Sequence, residues 1–172
     1  EPDSKEAIIE RMVEALPGNK HLLVNAAQLY AAYSSAFIQD EDKEYAAALY
    51  ARARAYALRA LEQNGFKSPA TQPFEDFETG LYDLGKKDVP YIFWAASCWG
   101  SWISLNQGSM EAMAELPRVE LMMKRVLELD EAFYYGGAHI FMGVLDASRP
   151  RIAGGDLDRA RDHFLRAIDL GD

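Results

Sequence analysis

Residues 89–110, VPYIFWAASCWGSWISLNQGSM, run for twenty-two positions without a charged side chain. They hold all three tryptophans and the single cysteine of a chain in which 26% of residues are charged. A segment of this kind is a membrane span, the wall of a ligand site or the middle of a core.

On a helical wheel, Trp94, Leu105, Cys98, Tyr91, Trp102, Ala95, Trp99, Ile92 and Ile103 cover about half the circumference. The other half is small, with Ser97, Ser101, Gly100 and Ser104, and Phe93 among them. An exposed helix face would carry Lys or Glu, and none occurs, so the helix is expected to be enclosed, its small residues lying where another helix comes close. A membrane span needs roughly 18 or more apolar residues. The apolar part, Val89 to Leu105, falls just short, contains three serines and a glycine, and sets its tryptophans mid-segment rather than at the interfaces. The segment is read as a buried helix.

The rest of the chain carries helix and turn signals only. Alanine occurs 26 times, against 16 for Val, Ile and Thr together. Alanine favours helix and the β-branched residues favour strands, so the fold class is all-α. Helices are expected at 4–16 with Ser4 as N-cap, at 20–39, and at about 43–63 after the charged 39–44 turn. Further helices are expected at about 74–83, from Pro90 to the NQGS turn, at 110–115, at 117–129, at 131–146, and at 156–170 with Asp156 as N-cap. The chain is long enough for one domain, 1–172, with a sizeable core.

Self-similarity organises these helices. ARAYALRALEQNG (53–65), VELMMKRVLELDE (119–131) and ARDHFLRAIDLGD (160–172) share one frame, with Ala53, Ala57 and Ala60 matching Val119, Met123 and Val126, and Ala160, Phe164 and Ala167. That is the second-helix pattern of a tetratricopeptide unit, in which small residues let two antiparallel helices approach and neighbouring units stack. The offsets of 66 and 41 residues (53 to 119, 119 to 160) are not multiples of a clean repeat, so the array is degenerate. An irregular helical bundle is the alternative.

The net charge of −9 argues against nucleic acid, because neutralising phosphates needs surplus Lys and Arg. One cysteine excludes an internal disulfide framework. His21, His139 and His163 lie far apart in sequence, no zinc or CxxC spacing occurs, and Cys98 falls on the apolar side of the wheel, so neither catalysis nor a cofactor or metal is expected. AGGD, before the last helix, reads as a turn rather than an anion cradle.

The blocks LPGNKHLLVNAAQLYAAYSSAFIQ, DVPYIFWAASCWGSWISLN and LPRVELMMKRVLELDEAFYYGGAHIFMGVLDASRPRIAGGDLDRARDHFLRAIDLG resemble the T-component proteins of bacterial TRAP transport systems. The resemblance implies a periplasmic, often lipid-anchored protein of degenerate tetratricopeptide hairpins that assembles as a homotrimer. It also implies a partner, the solute-binding P component that feeds a TRAP permease. The chain departs from the family in showing no lipobox cysteine and in stopping at LGD, where family members continue. Glu1 is not an initiator Met and no signal peptide precedes it, so an upstream piece is expected to have been removed.

Two segments carry aromatic groups beyond what a repeat hairpin requires. The tryptophans spread too far around the wheel for one neighbouring helix to cover, and FYYGGAHIFMG (133–143) places Gly136, Gly137 and Gly143 in one expected helix, where each costs about 0.5–1 kcal/mol relative to Ala. Close packing by a neighbour is one reading and room for a ligand or partner is the other. The candidate ligand or partner residues are Tyr91, Trp94, Trp99, Trp102, Tyr134, Tyr135 and His139. Three functions stay open: docking of the P component, a general peptide-binding adaptor, and a passive carrier of a small apolar ligand.

Overall fold

The computed structural model describes residues 4–38 and 42–172, so residues 39–41 of the charged turn lie outside the described residues. All regular structure among the described residues is helical: α1 (Lys5–Ala15), α2 (Lys20–Ile38), α3 (Lys43–Gln63), α4 (Phe74–Tyr82), α5 (Val89–Leu105), α6 (Met110–Ala114), α7 (Leu116–Asp130), α8 (Phe133–Ser148) and α9 (Leu157–Gly171). Local chemistry sets the starts. The side chains of Ser4, Asn19, Asp42, Ser109 and Asp156 each accept a first-turn backbone N–H, satisfying donors that have no partner within the helix. No helix among the described residues is long and apolar enough to cross a membrane.

Three antiparallel hairpins, α2/α3, α5/α7 and α8/α9, stack through α3 on α5 and α7 on α8. Cross-pairs give the direction of each. The Ser34 hydroxyl donates to the Ala46 carbonyl, while Lys20 donates to Asn64 at the other end of α2/α3. In the last hairpin Arg159 reaches Asp146 and Ala167 lies against Gly136. The three self-similar segments fall on α3, α7 and α9, the second helix of each hairpin, with Ala53, Ala57, Ala60, Val119, Met123, Val126, Ala160 and Ala167 all buried. Phe164, the counterpart of Ala57 and Met123, is instead partly exposed, as are Leu165 and Ile168 on the outer side of α9.

Helix α5 is the hub, touching α2, α3, α7 and α8. Its entry is pinned by Asp88, whose carboxylate accepts from the Gly85 backbone at 2.8 Å and from Asn64 Nδ2 at 3.0 Å, tying the end of α3 to the start of α5. The small face is occupied as expected, but by an aromatic ring rather than by backbone: a methyl group on Gly100 would sit 2.8 Å from the Phe141 ring. Phe93, expected on the small side, is buried, and Ser104 is exposed.

The expected uninterrupted helix over 131–146 is corrected. Tyr134, Tyr135 and Gly136 take left-handed φ values of 50°, 56° and 71°, so α8 proper begins after them. Gly136 takes the left-handed form without a Cβ penalty, and both neighbouring helices close in on Gly136 and Gly137. A Cβ on Gly136 would lie 3.2 Å from the Ala167 backbone, and one on Gly137 would lie 2.7 Å from the Phe93 ring. Gly143 likewise admits the Phe164 ring, so two of these glycines make room for rings.

Among the glycines of the described residues, the 149–156 turn holds the closest approach. Gly154 has φ 89°, and a Cβ on Gly155 would fall 1.8 Å from the Arg149 carbonyl oxygen. Gly155→Ala should therefore cost about 3 kcal/mol in urea unfolding, since a backbone atom cannot yield as a side chain would. Gly108→Ala, facing open space, should stay within about 0.5 kcal/mol. Equal effects at the two positions would contradict the turn geometry.

Candidate functional site

The seven candidate residues divide among four places. Tyr91 is buried beside α2, its hydroxyl 3.2 Å from His21 Nδ1 and the Lys20 ammonium 5.0 Å from its ring centre. Burial and Asp88 raise its pKa, so the phenol stays protonated. Trp99 is fully buried and donates its indole N–H to Glu115. Glu115 also accepts from Arg54 at 2.8 Å, and that guanidinium lies 4.4 Å from the Trp102 ring centre and 5.2 Å from that of Trp99. This cluster locks α3, α5 and the start of α7 together, with the arginine held by both charge and ring faces.

Trp94, Tyr134 and Tyr135 come together at the opposite end of α5. Trp94 and Tyr134 meet edge to face at 4.9 Å and Tyr134 meets Tyr135 at 5.9 Å, with Phe93 and Phe133 beneath. Tyr134 is 55% and Tyr135 71% exposed, so the left-handed run presents two tyrosines to solvent on an aromatic base. An αL tyrosine costs about 1–2 kcal/mol, a strain that the surrounding structure has to hold.

His139 stands apart, between α8 and α9. Its Nε2 is 2.9 Å from Glu131 and its Nδ1 is 2.8 Å from Nδ1 of His163. Glu131 also binds Arg166, and these bonds from Arg166 and His139 pull its carboxyl down to about 2. Burial, then the neighbouring His139, holds His163 below the ordinary imidazole value. Cys98 is sealed in the core, where burial pushes its thiol up to about 12, so it is no nucleophile at neutral pH.

A groove of about 880 Å³ is walled by α5 and α8. Ile103, Leu116, Phe141, Val144 and Leu145 make its sides, and Ser104, Gln107, Ser148 and Arg149 supply polar groups. Arg149 is oriented by Glu120 at 2.9 Å. A smaller cleft of about 410 Å³ lies between α1 and α2. None of the seven candidates lines either opening. The Trp-rich and Gly-rich helices do wall the larger one, through Gly100, Ile103, Phe141 and Val144, neighbours in the chain of the residues singled out in the sequence. The cue was Gly100, whose missing side chain admits the Phe141 ring that forms part of the groove wall.

Asp146 anchors the same hairpin. It is 2% exposed and accepts from Arg159 at 2.7 Å and 2.5 Å, which lowers its pKa despite burial. A lowered carboxylate pKa contributes stability that is present above the unfolded value of about 3.9 and is lost as pH falls through the folded one. Asp146→Asn should therefore lower stability by about 2 kcal/mol at neutral pH and flatten the loss below about pH 4. Unchanged acid sensitivity in urea titrations would contradict the ion pair.

The family model described as TRAP transporter T-component matches the chain over residues 7–172. No curated protein matches it.

Proposed function

Because the chain belongs to the TRAP transporter T-component family, we propose that it is a non-catalytic, periplasmic accessory of a TRAP system that docks the solute-binding P component and shelters an apolar group in the α5/α8 groove. The observation that carries the second part is the groove itself. Apolar side walls with a few convergent polar groups are how pockets for apolar ligands are generally built. Phe141, Val144 and Leu145 would desolvate an alkyl or aromatic group, while Ser148 and Arg149 would meet a polar end. No bond is made or broken; the groove exchanges water for apolar contact.

Docking is assigned to the edge formed by Trp94, Tyr134 and Tyr135. Exposed tyrosines on a packed aromatic base lose little side-chain freedom on binding, and Tyr and Trp are enriched among residues that dominate interfaces. Backbone strain of the kind found at Tyr134 and Tyr135 persists where a function benefits from it. Trp99, Trp102 and Tyr91 then act as supports for α5, and His139 for the α8/α9 contact. A homotrimer is part of the same proposal and rests on the family alone.

Two separable measurements test this. By calorimetry with the purified P component, Tyr135→Ala should weaken binding at least about tenfold, or about 1.4 kcal/mol. Its own stability should move by less than about 0.5 kcal/mol, since the side chain is largely exposed. Val144→Lys should leave docking intact and lower the affinity of a neutral fluorescent arylamine for the groove about tenfold. Unaltered P-component affinity after Trp94, Tyr134 and Tyr135 are all replaced by Ala would overturn the docking face. A probe that binds equally well to Val144→Lys would overturn the groove.

A further inference from the structure

His139 on α8 and His163 on α9 face each other through their Nδ1 atoms, 2.8 Å apart, with ring centres separated by 5.1 Å. Both side chains are largely shielded, at 12% and 18% exposure. A hydrogen bond between two Nδ1 atoms holds one proton, because one ring must donate and the other must offer its lone pair. The far nitrogens face carboxylates, His139 Nε2 at 2.9 Å from Glu131 and His163 Nε2 at 3.9 Å from Asp146.

Proton counting then fixes the arrangement. An ionised carboxylate only accepts, so His139 keeps its proton on Nε2 and leaves Nδ1 bare, and His163 donates from Nδ1. In the neutral pair both Nδ1 atoms and His139 Nε2 are bonded, and only His163 Nε2, 3.9 Å from Asp146, is without a proton. A first added proton goes to His163 Nε2, toward Asp146. A second can only go to His139 Nδ1, which sets two N–H groups head to head and two positive rings in contact.

We propose that His139 and His163 form a pH-sensitive clasp that holds α9 against α8 and opens as the pair becomes doubly protonated. The charges around it favour opening. Arg159 of α9 already occupies Asp146, and Arg166 of α9 already occupies Glu131 at the α7–α8 junction, so neither carboxylate is free to neutralise a second imidazolium. Arg149, paired with Glu120 of α7, adds positive charge beyond Asp146, and Asp162 of α9 is the remaining acid acting on His163. The depressed His163 agrees in sign. Just below the ordinary histidine range the unfolded chain binds more protons than the folded one, so stability falls as pH drops through that range.

The element that moves is α9, which packs chiefly on α8 through Phe164 at Gly143 and Ala167 at Gly136. Its release uncovers those contacts and frees the Gly136 turn that carries Tyr134 and Tyr135. The clasp itself stands whether or not that edge is a docking face.

Backbone hydrogen exchange, corrected for intrinsic rates, tests the clasp on the unmodified chain. Between about pH 7.5 and about pH 5, protection of residues 157–171 should fall about tenfold or more while that of residues 43–63 holds. His163→Gln and the double variant with His139→Gln should remove most of this pH dependence, whereas His21→Gln should leave it intact. Unaltered protection of α9 in the unmodified chain at the lower pH would overturn the clasp, as would an equal loss in the double variant.

Discussion

A helix without a single charged side chain cannot face water over any large part of its surface, and α5 imposes that condition on everything around it. Helices α2, α3, α7 and α8 all pack on it, and Trp99, Ile92, Ala95 and Ala96 are completely enclosed. Enclosure creates its own polar problem, since the Trp99 indole N–H enters the core and must find an acceptor. Glu115 supplies it, and the charge thereby drawn inward is met by Arg54, which in turn lies against the Trp99 and Trp102 rings. Each partner is there because the previous one was buried, and the series runs across three elements. The start of the helix follows the same logic: Asp88 holds the Gly85 backbone and Asn64, so α5 and α3 end in register.

Much of this was legible in the chain. Apolar spacing and capping residues placed α3 at its observed bounds and put Ser4 and Asp156 at helix starts, because caps act over a single turn. The frame shared by Ala53, Ala57 and Ala60, Val119, Met123 and Val126, and Ala160, Phe164 and Ala167 pointed to the second helix of each hairpin. The break at Tyr134–Gly136 was not legible. The two glycines weaken the helix there, but a glycine pair alone does not separate close packing from a left-handed turn, and the Ala167 backbone and Phe93 ring that crowd Gly136 and Gly137 come from other helices. The groove escaped for a related reason, being assembled from two stretches, 100–117 and 141–153, that lie far apart in sequence. The histidine pair was readable only after the α8/α9 hairpin was known, when reflection about the 149–156 turn brings His139 opposite His163.

Function divides along mechanical lines. The half of the chain nearest α3 and α5 is tied by the half-buried Arg54–Glu115 pair and by packed rings, and is suited to hold a fixed shape. The α8/α9 hairpin carries the glycines, the strained tyrosines, the exposed Leu165 and Ile168 and the facing histidines. Such a division suits a protein proposed to bind and release rather than to catalyse.

The central claim is that α5 is the last element to open because every other contact is arranged around it. Site-resolved native-state hydrogen exchange in low urea measures this directly. The account predicts that amides of residues 92–103 exchange only through global unfolding, with the largest protection in the chain and the full urea dependence, while those of α1 and α9 open at lower free energy. Exchange of the α5 amides at a free energy below that of α3 or α7 would contradict it.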